Sequence, residues 1–474
     1  MNLAYALRLG LSPRIAFIGS GGKTTALFIL AQELLANAKQ LGSPPHILLT
    51  ATTHLAVEQT HFADHHFIVT TEADLFNSPD DLPDGILLFT GLIDDDNRTS
   101  GLSRSVLETI HTLSQKYHLP LLIEADGSRQ RPLKAPGPYE PVVPEWIESV
   151  VLVAGLSALG RPLSDKWVHR SEQFSQISGL PHGAPITEDS LYKVLTSPTG
   201  GLKGIPSTAR RIILLNQADT PILQASGHRL GVQLLSSYPI ILISSLAPGN
   251  VCDAAKEEPQ PPSISVKVQA VIEPVAGILL AAGESSRLGQ PKQILTWQGQ
   301  PLVRHVASIA LSAGLQSLIV VTGAHQALVE AALSDLPLNL THNPYWQSGQ
   351  SSSIQAGMRV LPQETGSVIF FLSDQPLINE RLVRSLIDTH TATLSSIVAP
   401  IVEHQRSNPV LFDRSTFNDL LGLQGDMGGR VLFSRFPVNW LSWNDPRITL
   451  DIDTLQDYER LLSLGGDPKS LANQ

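Results

Sequence analysis

Residues 277–292 read GILLAAGESSRLGQPK, and this stretch decides the fold predicted for the second half of the chain. A short aliphatic run leads into a loop of small residues, which lets backbone N–H groups approach phosphate oxygens closely. Arg287 can bind a phosphate with its forked guanidinium, and Lys292 adds positive charge where a leaving pyrophosphate becomes negative. The pattern predicts a nucleoside triphosphate site after a buried strand, with nucleotide contacts from Ala281, Ala282 and Gly283.

Carboxylates follow two later segments of the same half. Asp374 comes directly after the apolar run 368–372, at the strand edge where α/β folds place ligands. Attack on an α-phosphate requires a divalent cation, and a hard carboxylate suits Mg²⁺; the alternative role of Asp374 is a helix N-cap. Alternation along 448–454 predicts a strand with Asp451 and Asp453 on one face. One of these two would bind metal and the other would cap the next helix.

The string L-A-A-G-x-S-x-R-L-G-x-P-K resembles the signature of the MobA-like nucleotidyltransferases, over about residues 274–462. Its Ala281-Ala282-Gly283 form looks most like the molybdenum cofactor cytidylyltransferases, because guanylyl-transferring relatives usually carry a second glycine. The resemblance implies Mg²⁺, with CTP and molybdopterin as substrates. It also implies catalytic roles for Arg287, Lys292 and Asp374. Three later strings of the family imply substrate contacts from Ser353, Arg406 and Arg430.

A second glycine-rich loop, GSGGKTT at 19–25, follows the aliphatic run 15–18 and opens a helix. It supplies a tight turn, a lysine for the β- and γ-phosphates and a threonine hydroxyl for Mg²⁺. The string is shorter than a full Walker A motif, so a structural turn is the alternative. The predicted nucleotide contacts are Gly19, Gly21, Gly22, Lys23 and Thr24. Glu124 and Asp126 end the run 121–123 as in a Walker B strand, so they are metal candidates together with Thr24.

Several further strings of the first half carry polar candidates. Arg129, Arg131 and Lys134 lie on a proline-bounded loop, which predicts either an anionic substrate or a solvated loop. Asn216 and Asp219 resemble the N-K-x-D base-reading motif, with Gln217 in place of the lysine. With His54 and His169, these strings resemble the YqeC-like family over about residues 14–245. The resemblance implies a second NTP and links the chain to a molybdenum hydroxylase or its chaperone as partner.

The aliphatic runs are continuous rather than alternating, which is typical of strands buried on both faces of a mostly parallel sheet. Each half is therefore predicted to be a three-layer α/β domain, P-loop-type in the first half and Rossmann-like in the second. The proline-rich residues 248–273 are predicted to link domains 1–247 and 274–474, with an edge strand near 265–270. A long surface loop within one domain is the alternative.

The composition narrows the class of protein. The 474 residues carry 43 acidic and 33 basic side chains, a formal charge of −10, which argues against nucleic acid as a partner. Cys252 is the single cysteine, so no internal disulfide forms and a reducing compartment fits. No uncharged apolar run reaches the roughly 20 residues that a membrane helix needs. We expect a cytoplasmic enzyme without a membrane segment.

These observations combine into one functional expectation. The resemblances imply that the second domain transfers CMP from CTP to molybdenum–molybdopterin and that the first is an NTPase of the same maturation pathway. Two alternatives stay open: a sugar phosphate or other phosphorylated acceptor for the second domain, and a non-catalytic nucleotide-sensing role for the first.

Overall fold

The computed structural model describes residues 1–76, 78, 81–246, 266–285 and 287–464. The chain divides into two compact units, Met1–Ile272 and Glu273–Gln474. Most of the predicted linker, 248–265 with Cys252, lies outside the described residues, so the linker stays a prediction. The edge strand expected near its end is observed at Val266–Ile272.

The first unit alternates strands and helices. Its strands are β1 (Arg14–Gly19), β2 (His46–Ala51), β3 (Leu55–Ala56), β4 (His65–Ile68), β5 (Gly85–Thr90), β6 (Arg98–Thr99), β7 (Leu121–Glu124), β8 (Leu133–Lys134), β9 (Ser149–Gly155), β10 (Val168–His169), β11 (Arg210–Asn216), β12 (Ile240–Leu246) and β13 (Val266–Ile272). Its helices are α1 (Leu3–Ala6), α2 (Lys23–Leu41), α3 (Val57–Thr60), α4 (Arg104–Tyr117), α5 (Ser171–Ser178), α6 (Glu188–Thr196) and α7 (Pro221–Leu234).

The described strands of the first unit build a nine-stranded sheet in the order β13-β12-β11-β9-β1-β7-β2-β5-β4. Every neighbouring pair is parallel except β12 with β13, which is antiparallel. Ala16 and Ile18 join a core that includes buried residues of α4, α5, α6 and α7. Ile15 and Phe17, one residue out of phase, are buried on the opposite face. Because both faces are covered, the strands are continuously apolar.

The second unit has its own sheet and helices. Its strands are β14 (Val275–Ala281), β15 (Thr296–Trp297), β16 (Gln300–Pro301), β17 (Ser317–Thr322), β18 (Asn339–His342), β19 (Ser367–Leu372), β20 (Ile397–Val402), β21 (Gln405–Arg406), β22 (Val410–Asp413) and β23 (Val438–Ser442). Its helices are α8 (Leu302–Ser312), α9 (Gln326–Leu333), α10 (Gln350–Arg359), α11 (Glu380–Thr393), α12 (Phe417–Leu421) and α13 (Leu455–Leu464).

In the second sheet, the neighbouring strands β18, β17, β14 and β19 run parallel to one another. Strand β22 lies between β19 and β20 and is antiparallel to both. Strand β20 also pairs with β21 and β23. Leu279 and Phe371 pack with residues of α8, α9 and α11 on one face. Ile278 and Phe370 pack with residues of α10 and α12 on the other. Two separate hydrophobic clusters on one sheet make a three-layer sandwich, which confirms the predicted α/β class.

The predicted aliphatic strands are observed, and α2, the helix predicted after the loop 19–25, buries Leu27, Leu30 and Leu34. The strand predicted at 448–454 is wrong: a 3-10 helix, Pro446–Thr449, is followed by an extended segment without a ladder. Although α2 has 19 residues, no helix among the described residues is long and apolar enough to cross a membrane.

The largest fully buried side chain of the described residues, Tyr238, generates a stability prediction. Its hydroxyl donates a 2.7 Å hydrogen bond to the buried carbonyl of Leu195. Tyr238→Phe should lower the free energy of unfolding by about 1–2 kcal/mol, because a buried acceptor loses its partner. Chemical denaturation of the full chain, followed by circular dichroism, measures the effect. Tyr139→Phe, at a residue 90% exposed, is the control and should change nothing; equal stability of both variants would contradict the prediction.

Candidate functional sites

The second unit gathers opposite charges where β14 and β19 end. Lys292 Nζ donates to Asp374 Oδ2 and lies 3.0 Å from Asp453 Oδ1. The more exposed Arg287 places Nη1 3.5 Å from Asp453 Oδ2. Burial alone would lower the pKa of Lys292, but the charges of Asp374 and Asp453 outweigh burial and raise it. The lysine is therefore a cation held at the carboxyl edge of the sheet.

The two late aspartates have different partners. Asp451 Oδ1 accepts from Gln375 Nε2, whereas Asp453 accepts from Lys292. Desolvation raises the pKa of Asp451, and the neighbouring charges of Asp374 and Asp453 add to the rise. Neither aspartate caps α13: Thr454 Oγ1 accepts from the backbone of Asp457 instead.

Asp374 fits the metal role better than the capping role. Helix α11 is capped by Asn379, which accepts from the backbone of Leu382. The Oδ1 atom of Asp374 is buried and has no hydrogen-bond partner in the described part of the chain. An orphaned hard oxygen of this kind suits Mg²⁺, which Asp374 and Asp453 would hold. The described residues contain no group of three or more His, Cys, Asp or Glu arranged for a metal ion. Two carboxylates suffice when substrate phosphates complete the shell.

Gln293, which was not among the predicted site residues, holds the loop that follows β14. Its Nε2 donates 2.7 Å to the carbonyl of Gly283 and 3.4 Å to that of Ala281. Ser285 Oγ accepts from the backbone of Lys292 at 3.1 Å. A Cβ at Gly283 would meet nothing within 4 Å, so this backbone faces open space. Ser286 lies outside the described residues.

The predicted acceptor contacts form two groups. Ser353 is buried and accepts a 2.9 Å hydrogen bond from Asn343. Ser351 donates 2.6 Å to the carbonyl of Gly425, which brings the 343–353 and 425–430 segments together. Arg406 and Arg430 are exposed, and neither forms an ion pair within the described residues. The two guanidiniums can bind an anion, whereas Ser351 and Ser353 form hydrogen bonds within the protein.

In the first unit, the backbone of loop 19–25 requires glycine. Gly21 has φ +89°, and a Cβ there would lie 2.5 Å from Gly155 N and 2.7 Å from Pro132 O. Gly19, with φ +92°, donates its N–H to Asp126 Oδ2 at 3.0 Å. The loop is therefore fixed against β9 and the end of β7 before any ligand binds.

Lys23 forms ion pairs with both Walker-B-like carboxylates, Glu124 and Asp126. Its Nζ lies 3.1 Å from Asp126 Oδ1 and 3.8 Å from Glu124 Oε1, and donates 2.7 Å to Gly19 O. Burial opposes the charge of Lys23, but Asp126 and Glu124 outweigh burial and raise its pKa. Thr24 Oγ1 donates 2.8 Å to Glu124 Oε2, and burial raises the pKa of Glu124. Lysine, threonine and both carboxylates are thus adjacent, as a metal–triphosphate site requires.

A buried chain of charges continues from Asp126. Lys134 Nζ lies 2.8 Å from both Asp126 Oδ2 and Glu140 Oε2. Arg170 grips Glu140 with two hydrogen bonds of 2.8 and 3.0 Å. Lys134 is only 3% exposed, so it is neither on a solvated loop nor free for an anion. Sequence reasoning missed Glu140, because only the folded chain brings it to these cations.

Asn216, the first residue of the N-x-x-D segment, stabilises the backbone of loop 19–25. Asn216 is fully buried, donates 2.8 Å to Gly21 O and accepts from Ser244 Oγ at 3.0 Å. Asp219 accepts from Ser245 Oγ. These placements favour a structural role for Asn216 and Asp219, and direct nucleotide contact stays a prediction.

A cavity of about 570 Å³ opens over the loop. Its lining includes Lys23, Thr24, Glu124, His54, Arg129 and Arg131. His169 lies outside this lining; burial and the charges of Arg170, Lys134 and Arg129 lower its pKa to about 4, so its ring is neutral at pH 7.

Comparison with known proteins matches the two units separately. The YqeC protein family matches residues 15–172, and the MobA-like NTP transferase domain matches residues 277–439. The uncharacterized protein YqeC of Escherichia coli (strain K12) is 32% identical over 45% of this chain and 80% of that protein. Nicotine blue oxidoreductase of Paenarthrobacter nicotinovorans is 31% identical over 40% of this chain and 96% of that protein. A probable molybdenum cofactor guanylyltransferase of Bacillus cereus (strain Q1) is 29% identical over 29% and 66%.

Two solved structures are also similar to part of this chain. Rv0371c from Mycobacterium tuberculosis H37Rv has 29% identity and a TM-score of 0.37, covering 40% of this chain and 98% of that chain. Its complex with manganese has 26% identity and a TM-score of 0.36 over 40% and 98%.

The charge chain of the first unit predicts a pH dependence. Burial works against ionisation of Glu140, but hydrogen bonds from Arg170 and Lys134 outweigh it and lower its pKa from 4.5 to about 2. A carboxyl with a depressed folded-state pKa stabilises the fold above its unfolded pKa and loses that stabilisation as the pH falls. The contribution should therefore disappear between pH 4.5 and about 2.

Glu140→Gln should be less stable than wild type at pH 7 and should flatten the acid limb of stability in that window. Urea denaturation of the full chain at several pH values measures this. Glu145→Gln, at an exposed carboxylate, is the control. Parallel acid limbs for wild type and Glu140→Gln would contradict the prediction.

Proposed function

Since this chain belongs to the YqeC family through its first unit and carries a MobA-like NTP transferase domain in its second, we propose that it matures the molybdenum cofactor. The second unit transfers CMP from CTP to molybdenum–molybdopterin and releases pyrophosphate. The first unit binds and hydrolyses an NTP in the same pathway. Similarity to a protein named as a probable molybdenum cofactor guanylyltransferase supports the acceptor.

The observation that carries the transferase proposal is the position of Lys292 between Asp374 and Asp453, beside a glycine loop open to a ligand. The terminal phosphate oxygen of the acceptor attacks the α-phosphorus of CTP, and the bond from that phosphorus to the pyrophosphate oxygen breaks. A phosphate monoester is already anionic, so no strong general base is required. Lys292 and Arg287 neutralise charge on the leaving pyrophosphate.

Bound Mg²⁺ would supply charge neutralisation at the α-phosphate. Asp374 and Asp453 would hold it, and the unpartnered Oδ1 of Asp374 supports that role. Gln293 keeps the loop carbonyls of Ala281 and Gly283 turned inward, which leaves the loop N–H groups to orient the triphosphate.

The proposed preference for CTP rests on alanine at position 282, where the guanylyl-transferring relatives usually carry glycine. The methyl group of Ala282 lies close to the loop after β17, where a Cβ on Gly323 would lie 2.7 Å from the Ala282 Cβ.

Asp374→Asn and Lys292→Ala should each lower CMP transfer by about a hundredfold or more, because each removes a charge that acts in the transition state. Labelled CTP with molybdenum–molybdopterin measures transfer, with GTP and ATP in parallel. Asp388→Asn, at an exposed carboxylate of α11, is the control and should retain full activity. Transfer from GTP would overturn the base assignment. Failure with every nucleotide would overturn the acceptor, and sugar phosphates would be tested next.

A redox reaction is the second candidate for this unit, because a relative named nicotine blue oxidoreductase matches over 96% of its length. Oxidation of NADH or NADPH with nicotine blue as acceptor tests it. Such activity in Lys292→Ala, together with no CMP transfer by wild type, would replace the transferase proposal.

For the first unit, Lys23→Ala should abolish NTP hydrolysis by the full chain, because the β- and γ-phosphates lose their cation. Release of inorganic phosphate, rather than pyrophosphate, distinguishes this reaction from nucleotidyl transfer. Lys39→Ala, at an exposed lysine of the same helix, is the control. Nucleotide binding without any phosphate release by wild type would favour the sensing module instead.

A further inference from the structure

The cavity of the first unit extends to one side of its phosphate loop. Phe28 on α2, Gln59 on α3, Phe62 just after α3 and Arg98 on β6 line that side. In the sheet, β2 lies beyond β7 as seen from β1, so this part of the cavity lies past Glu124. On the opposite side of the loop, Gln217, which directly follows β11, is among the described residues that line the cavity.

The position of this side of the cavity indicates which end of a bound nucleotide it faces. Thr24 and Glu124 mark the metal and γ-phosphate end of a nucleotide held by Lys23. Space beyond them is where a second substrate meets the γ-phosphate. The whole cavity, including the part over the loop, has a volume of about 570 Å³, which is in the range of pockets for organic ligands, roughly 300–1,000 Å³.

The walls of this end combine two aromatic side chains with a cation that has no carboxylate partner among the described residues. Phe28 is buried and packs at 5.4 Å, tilted 50°, against the half-buried ring of Phe62. Arg98 lines this end, whereas Arg129 and Arg131 line the cavity beside loop 19–25; none of the three forms an ion pair with a carboxylate of the described part of the chain. Arg98 uses one N–H on the carbonyl of His54 at 3.3 Å and keeps its other donors. An anion with a planar ring satisfies both surfaces.

His54 adds a hydrogen-bond acceptor. Its Nδ1 lies 3.1 Å from the carbonyl oxygen of Thr99, and a carbonyl only accepts, so Nδ1 carries the proton. In the neutral ring Nε2 is then the acceptor. Asp94 Oδ2, 3.9 Å from Nδ1, reinforces this tautomer. The ligand therefore offers an N–H or O–H donor as well as negative charge.

We propose that this end of the cavity, formed by Phe28, Phe62, His54 and Arg98, binds a second substrate beside the nucleotide. The ligand is an organic anion with a planar heteroaromatic ring and a hydrogen-bond donor, chemistry that a phosphorylated or carboxylated pterin carries. The inference rests on the proposed NTP site of the first unit and adds the acceptor to it.

Pterin-6-carboxylate, whose ring is fluorescent, is the probe, and its anisotropy is followed as full-length protein is added. Arg98→Ala and Phe62→Ala should each weaken its binding about tenfold or more, the effect of losing a charged hydrogen bond or a stacking surface. Both should leave the affinity for mant-ATP and mant-GTP within about twofold. Lys23→Ala should weaken the mant-nucleotides and spare the pterin. Arg104→Ala, at an exposed arginine outside the lining, is the control.

Any pterin-6-carboxylate that binds elsewhere on the chain should bind equally well to every variant. Unchanged pterin binding in both Arg98→Ala and Phe62→Ala overturns the proposal. Competition between pterin-6-carboxylate and the mant-nucleotides also overturns it, because the aromatic end would then hold the base. If mant-nucleotides fail to bind wild type, the proposed NTP function of the unit fails, while the pterin titration still decides this site.

Discussion

Each unit depends on a lysine that carboxylates from the neighbouring parallel strand hold at the sheet's edge. Lys23 follows β1 and meets Asp126 after β7, and Lys292 follows β14 and meets Asp374 after β19. Both strand pairs are direct parallel neighbours. A charge taken out of water must be paired, so these ion pairs fix the loop against the strand that follows it in space.

In the proposed function, the same pairing prepares both loops for phosphate. Nucleotide phosphates offer each lysine another anionic partner, and the carboxylates it leaves are hard oxygen ligands for a divalent cation. The backbone around the lysine is held independently, by Asn216 on Gly21 in one unit and by Gln293 on Gly283 in the other. Exchange of partners at the lysine can therefore proceed without rebuilding the loop.

Local sequence patterns were sufficient to predict the strands and the loops that follow them, because strands buried on both faces of a sheet have continuous aliphatic sequences. Alternation misled at 448–454, where the backbone N–H of Ile452 bonds to the carbonyl of Asp374 at 3.0 Å instead of joining a ladder. That one contact also separates the aspartates, since Asp451 meets Gln375 and Asp453 meets Lys292. Nothing in the spacing of the two residues distinguishes these outcomes.

The sequence alone determined the α/β class, the two glycine-containing loops after β1 and β14, and the family resemblance, because short local strings of residues carry each of them. Only the tertiary structure determined which side chains contact one another. Glu140 reaches Arg170 across 30 residues, and Asn216 reaches Gly21 across 195. The aromatic end of the first cavity is assembled from α2, the segment after β2 and β6. Strand order sets these distances, and strand order arises from packing of the whole sheet rather than from any local pattern.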